Sequence, residues 1–154
     1  MNTYDKPLPT IDALTRPYWE HAKAHRLSVQ RCSQCGDRHF PPAPVCPRCL
    51  SEDQGWEVVS GRGTLVSWTR FHRAYWPSFR NDLPYYVCVV RLEEGPVVVS
   101  NFAGDAPPSL FSGMPLCAVW DDVTPEVSLV RFVAAAVVGA PKGSVALAIK
   151  GSGF

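Results

Sequence analysis

The stretch Tyr85-Tyr86-Val87-Cys88-Val89-Val90-Arg91-Leu92-Glu93-Glu94-Gly95-Pro96-Val97-Val98-Val99-Ser100-Asn101-Phe102 decides the fold class. Two runs of β-branched and aromatic residues flank Glu93-Glu94-Gly95-Pro96, whose glycine and proline suit a chain reversal. The pattern predicts a strand, a hairpin turn and a second strand. Working upstream, Thr64-Leu65-Val66-Ser67-Trp68-Thr69-Arg70-Phe71 reads as another long strand. Trp56-Glu57-Val58-Val59 reads as a shorter one, with Gly61-Arg62-Gly63 between them as a break or bulge. Residues 74–83 form a loop. Downstream, 114–120 and 127–132 are two further strands. Five to six strands with Gly/Pro punctuation predict a small antiparallel barrel of the oligonucleotide/oligosaccharide-binding (OB) kind rather than an immunoglobulin sandwich.

Ahead of the barrel the pattern changes. Tyr18-Trp19-Glu20-His21-Ala22-Lys23-Ala24 follows Pro17, a residue that fits the first turn of a helix. Tyr18, Trp19 and Ala22 form one apolar stripe, which docks the helix on the body of the protein. Leu27-Ser28-Val29-Gln30-Arg31 alternates as a short strand and runs into Cys32. The chain therefore divides into an arm and helix (1–26), a cysteine-bearing ribbon (27–54), an OB domain (55–133) and an apolar, Gly-rich tail (134–154) with a possible strand over 144–149. The fold class is mostly β.

The chain has 154 residues, of which 46% are hydrophobic and 19% charged, enough for one core. Fifteen prolines argue against long helices. The net charge of +1 supplies no bulk attraction toward nucleic acid or anionic membrane. Met1 to Thr10 is polar, without the apolar run of a secretory signal. The longest apolar stretch, 132–138, falls well short of the ~20 residues that span a bilayer. The expected location is the cytoplasm, and its six cysteines are expected to be metal ligands or reduced thiols rather than disulfides.

Four of those cysteines carry the clearest signal. Cys32-Ser33-Gln34-Cys35 and Cys46-Pro47-Arg48-Cys49 are two Cys-x-x-Cys knuckles, each a turn that aims two sulfurs at one ion. Gly36 supplies the backbone freedom the first turn needs. The expected occupant is one Zn²⁺ held by Cys32, Cys35, Cys46 and Cys49. A four-thiolate site is closed to substrate and water, so its role is structural. A redox dithiol is disfavoured because no βαβ context surrounds either pair. Arg31, Arg38 and Arg48 either offset the negative charge of the site or are plainly solvated. Cys88 and Cys117 sit in apolar strands and are expected to be core residues.

No catalytic constellation is legible. His21 and His25 are read as a solvated helix face, His39 as a bystander in the zinc loop and Asp121-Asp122 as a turn. Phosphate-binding loops, dinucleotide fingerprints and Gly-x-Ser-x-Gly elbows are absent from the sequence. What stands out is a binding surface: Trp68, Arg70, His72 and Arg73 at the end of one strand, then Tyr75, Trp76, Phe79 and Arg80 in the loop. Aromatic and guanidinium groups together suit a nucleotide, single-stranded nucleic acid on an OB barrel, or a protein partner. The sequence leaves these three open.

The order of parts resembles a known family. Arg16-Pro17-Tyr18-Trp19-Glu20, Leu27 through Cys35-Gly36, Phe40-Pro41-Pro42 and Cys46-Pro47-Arg48-Cys49 are similar to the N-terminal part of the domain of unknown function 35 family. Ser60-Gly61-Arg62-Gly63-Thr64-Leu65-Val66-Ser67-Trp68-Thr69, His72-Arg73, Leu83-Pro84-Tyr85, Glu93-Glu94-Gly95-Pro96 and Gly113-Met114-Pro115 extend the resemblance over roughly 16–133. The resemblance implies a rubredoxin-like zinc ribbon joined to an acyl-CoA-associated OB fold. It implies an accessory subunit of thiolase-superfamily enzymes: thiolases, side-chain aldolases and hydratases, or C-acyltransferases. The catalytic cysteine and histidines would then belong to the partner. Trp68, Arg70, His72, Arg73, Tyr75 and Phe79 would contact a CoA thioester or that partner. Two readings compete with it. One is a nucleic-acid-binding zinc-ribbon/OB module, which the near-neutral charge counts against. The other is a stand-alone enzyme using Cys88 or Cys117.

Overall fold

The computed structural model describes residues 4–135. The possible strand at 144–149 lies outside them. The helix, α1, runs from Arg16 to Lys23, with Pro17 in its first turn. The Asp12 carboxylate braces the entry by accepting from the Thr15 amide at 2.8 Å. Tyr18 and Ala22 are buried, and Trp19 packs beside them, as the stripe predicts.

Three strands form the ribbon sheet. β1 (Ser28–Cys32) lies between β2 (Arg38–His39) and β3 (Gln54–Val58), both antiparallel to it. The strand anticipated at 56–59 is therefore present, but its partner is β1 and not a barrel strand. Trp56 stands opposite Gln30 and turns its ring toward Tyr18, 6.5 Å away. The alternation of Trp56-Glu57-Val58 identified a strand, while the choice of sheet depends on a neighbour more than twenty residues upstream.

Five strands close the barrel in the order β4-β5-β6-β8-β7. They are β4 (Arg62–Phe71), β5 (Tyr85–Leu92), β6 (Val97–Phe102), β7 (Pro115–Asp122) and β8 (Ser128–Ala134). Every pair is antiparallel except β6 with β8. This is an OB barrel, and the range of five to six strands resolves to five. A short 3₁₀ turn, Pro77–Asp82, lies within the β4–β5 loop. The glycines around the start of β4 are partly a matter of space. A Cβ on Gly63 would lie 2.5 Å from the carbonyl oxygen of Arg91 across the sheet. The irregularity in the ladder itself comes slightly later, between Leu65 and Ser67.

Leu65, Val90, Leu92, Val98, Leu116 and Phe132 fill the barrel and are almost fully buried. Their cluster is continuous with Tyr18, Ala22, Leu27 and Val29 of the helix and ribbon. The end of α1 ties the two parts together. Lys23 Nζ donates to the Pro125 carbonyl. His25 lies just past the helix, stacks on Trp120 and bonds Asp122 at 2.9 Å. The placing of His25 on the helix and the reading of Asp121-Asp122 as a turn are thus corrected, while His25 stays exposed as expected. Both aspartates end β7, Asp121 paired with Arg131 and Asp122 with His25 and Ser128. Among the described residues, no helix is long and apolar enough to cross a membrane.

Candidate metal centre and barrel cleft

The first knuckle leaves the end of β1 at Cys32 and closes with a bond from the Gly36 amide to the Cys32 carbonyl, 2.9 Å. Gly36 has φ of +73°, the left-handed region in which glycine is free of Cβ strain. The second knuckle repeats the device: the Leu50 amide donates to the Cys46 carbonyl at 2.9 Å. The turns bring the sulfurs of Cys32 and Cys49 to 3.5 Å and those of Cys35 and Cys46 to 3.7 Å. All four lie within 4.8 Å of one another. Tetrahedral Zn–S bonds of about 2.3 Å place sulfurs about 3.8 Å apart, so the set fits such an ion.

The acidities agree. The Cys35 amide, and less so that of Gln34, points at the Cys32 sulfur and lowers its pKa to about 7. Cys49 is driven the other way. The Ser51 amide favours its thiolate, but the crowded sulfurs of Cys32 and Cys35 outweigh that and push it up to about 12. Four sulfurs this close cannot all ionise without a cation among them, and a divalent ion supplies the missing charge. The three arginines of this region divide. Arg38 makes a two-pronged pair with Glu57 at 2.8 and 2.9 Å, and Arg31 approaches the same carboxylate at 3.7 Å. Arg48 is exposed. Cys88 is fully buried in the barrel, and burial pushes its thiol up to about 11, the reverse of an activated nucleophile.

A cleft of about 1070 Å³ opens where β5 and β6 part. Their ladder ends at Cys88 and Ser100, and β6 then pairs with β8 at Asn101 and Phe102. Asn101 bridges the split. Its amide nitrogen donates to the Tyr86 carbonyl at 2.6 Å, and its oxygen accepts from Arg131 at 2.6 Å. Arg131 also donates to Asp121 at 3.2 Å. Arg70 lies over the Tyr86 ring at 5.7 Å, and Lys6 closes one side through Asp82.

The residues singled out in sequence separate here. Arg70 and Phe79 line the cleft. Trp68 stands on β4 opposite Cys88 and is partly exposed. His72 is exposed in the loop, while Arg73 stacks on Tyr75, whose ring is 65% exposed. Tyr86, Asn101, Trp120 and Arg131 complete the cleft and were not anticipated. Only the parallel pairing of β6 with β8 brings Asn101 and Arg131 together.

Two family models cover most of this architecture. The one described as "ChsH2, rubredoxin-like zinc ribbon domain" matches residues 19–53, and "ChsH2, C-terminal OB-fold domain" matches 56–121. A "DUF35 domain-containing scaffold protein" of Pyrococcus furiosus is 35% identical over 99 residues, 63% of this chain and 71% of that protein. The chain belongs to the DUF35 family. It carries that family's rubredoxin-like zinc ribbon, with the four-cysteine cluster, and its OB fold. A further relative, named "Probable enoyl-CoA hydratase alpha subunit", comes from Thermomonospora curvata. It is 37% identical over 129 residues, 82% of this chain, and the chain spans only 39% of its length. Among solved structures, a chain of the "Ltp2-ChsH2(DUF35) aldolase" superposes with a TM-score of 0.71 at 36% identity. That alignment covers 81% of this chain and 97% of the solved one.

Proposed function

We propose that this DUF35 protein is a non-catalytic subunit of an acyl-CoA enzyme of the thiolase superfamily, and that one Zn²⁺ on Cys32, Cys35, Cys46 and Cys49 fixes the shape it presents to its partner. The likeness to a chain titled as part of an aldolase, extending over 97% of that chain, carries the reading. The closed four-sulfur set supports a structural ion, since no ligand position remains for substrate. The buried, weakly acidic Cys88 supports placing the chemistry in another chain. Relatives named as hydratase alpha subunits and scaffold proteins fit a role inside an assembly.

In this reading the cleft borders the path of the CoA thioester. Arg70 and Arg131 offer guanidinium groups to phosphate or carbonyl oxygen, and Tyr86 and Phe79 offer aromatic walls. Trp68, His72, Arg73 and Tyr75 lie on the surface that would meet the partner subunit. The test is co-purification with the thiolase-like proteins of the same cell, followed by an acyl-CoA turnover assay. Turnover is expected from the complex and not from this chain alone. A chain that stays monomeric beside every such protein contradicts the proposal.

A further inference from the structure

His39 is 8% exposed, yet its Nδ1 has no hydrogen-bond partner among the described residues. The Ala43 amide donates to Gln30 Oε1 at 2.7 Å, so that oxygen is an acceptor. His39 Nε2, 3.1 Å from the same oxygen, must therefore be a donor to it. That leaves Nδ1 as the ring nitrogen facing the Asp37 carboxylate, 3.8 Å away, and the Cys46 sulfur. The ligand atoms of all three residues lie within 4.8 Å of one another, and Cys46 is buried with His39.

The nitrogen, the carboxylate oxygen and the sulfur converge with no hydrogen bond from the buried Nδ1 to either neighbour, and a cation between them would engage all three. Arginine does not supply it. Arg31 and Arg38 are turned to Glu57, and Arg48 is exposed. The four-thiolate site adds to the demand, because one divalent ion leaves a surplus of about two negative charges. We infer that Asp37, His39 and Cys46 form a second divalent-cation site, which shares the Cys46 sulfur with the four-cysteine site. A set of one nitrogen, one oxygen and one sulfur suits Zn²⁺ or its probes Co²⁺ and Cd²⁺, with water completing the shell. The site rests on the four-cysteine ion, which it joins through a bridging thiolate.

Native mass spectrometry of the full chain, saturated with Zn²⁺ under reducing conditions, tests it. Two ions per chain are expected, the second stripped first by a mild chelator. Asp37→Asn and His39→Gln should each hold one ion and keep the first. If His39→Gln fails to fold, Asp37→Asn, at a partly exposed position, still decides. Saturation of the unaltered chain at one ion, or two ions retained by Asp37→Asn, overturns this inference and leaves the proposed function standing. No bound ion at all removes the structural clip as well.

Discussion

Strand β2 of the ribbon has two residues, and strand β4 of the barrel has ten. The barrel strands pair around a closed ring and enclose Leu65, Leu92, Leu116 and Phe132. The ribbon has three short strands, an open sheet and few apolar side chains of its own, chiefly Leu27 and Val29. Where the chain buries a core, it needs no cross-link. Where it does not, it places four sulfurs within reach of one ion. The difference shows how one small protein can hold two regions whose stability has separate origins, joined by the packing of Tyr18 and by His25 with Asp122.

The largest expected effect breaks the ribbon alone. Structural zinc contributes an apparent 10–16 kcal/mol, roughly, in small ribbons at neutral pH. Removing metal with a chelator under reducing conditions should abolish hydrogen-exchange protection in β1 and β3 while β5 and β6 stay protected. Equal loss in the barrel would erase the distinction. The converse is Phe132→Ala, which empties the centre of the barrel and should cost about 3–5 kcal/mol in a denaturant melt. Metal content before the melt should not change. Gly63→Ala is expected to cost about 1–3 kcal/mol, because its Cβ would press on the Arg91 carbonyl and the strands must shift. The melt of that variant should report on the barrel and not on the metal.

The smallest effect concerns the joint. The Ser128 hydroxyl, and then His25, hold the Asp122 carboxyl below the ordinary carboxylate range. A lowered folded value means that the stabilisation is full above the unfolded pKa, about 4, and is lost as pH falls through the folded one. Asp122→Asn should therefore be slightly less stable than the unaltered protein at pH 6. That gap should close as pH falls below the carboxylate range. A gap of constant size across the titration would show that the carboxylate charge plays no part in the joint.

Local pattern carried much of this architecture. The hairpin over Tyr85 to Phe102 and the two knuckles were readable because each feature is complete within a few residues. The apolar stripe of Tyr18 and Ala22 was readable for the same reason. The assignment of Trp56 to the ribbon was not, because its strand alternates equally well in either sheet. The cleft was half legible. Arg70 and Phe79 stood out by composition, but Asn101 and Arg131 meet only through the parallel pairing of β6 and β8. His25 read as a helix position until the chain turned at Lys23 and brought it against Asp122.

The most direct test of the central claim is the binding of a thiolase-like partner to this chain, measured by isothermal titration calorimetry with the zinc in place, removed and restored. The account predicts a complex with the loaded chain, none with the stripped chain, and recovery on adding Zn²⁺, with acyl-CoA turnover following the complex. A stripped chain that binds as tightly as the loaded one would contradict it.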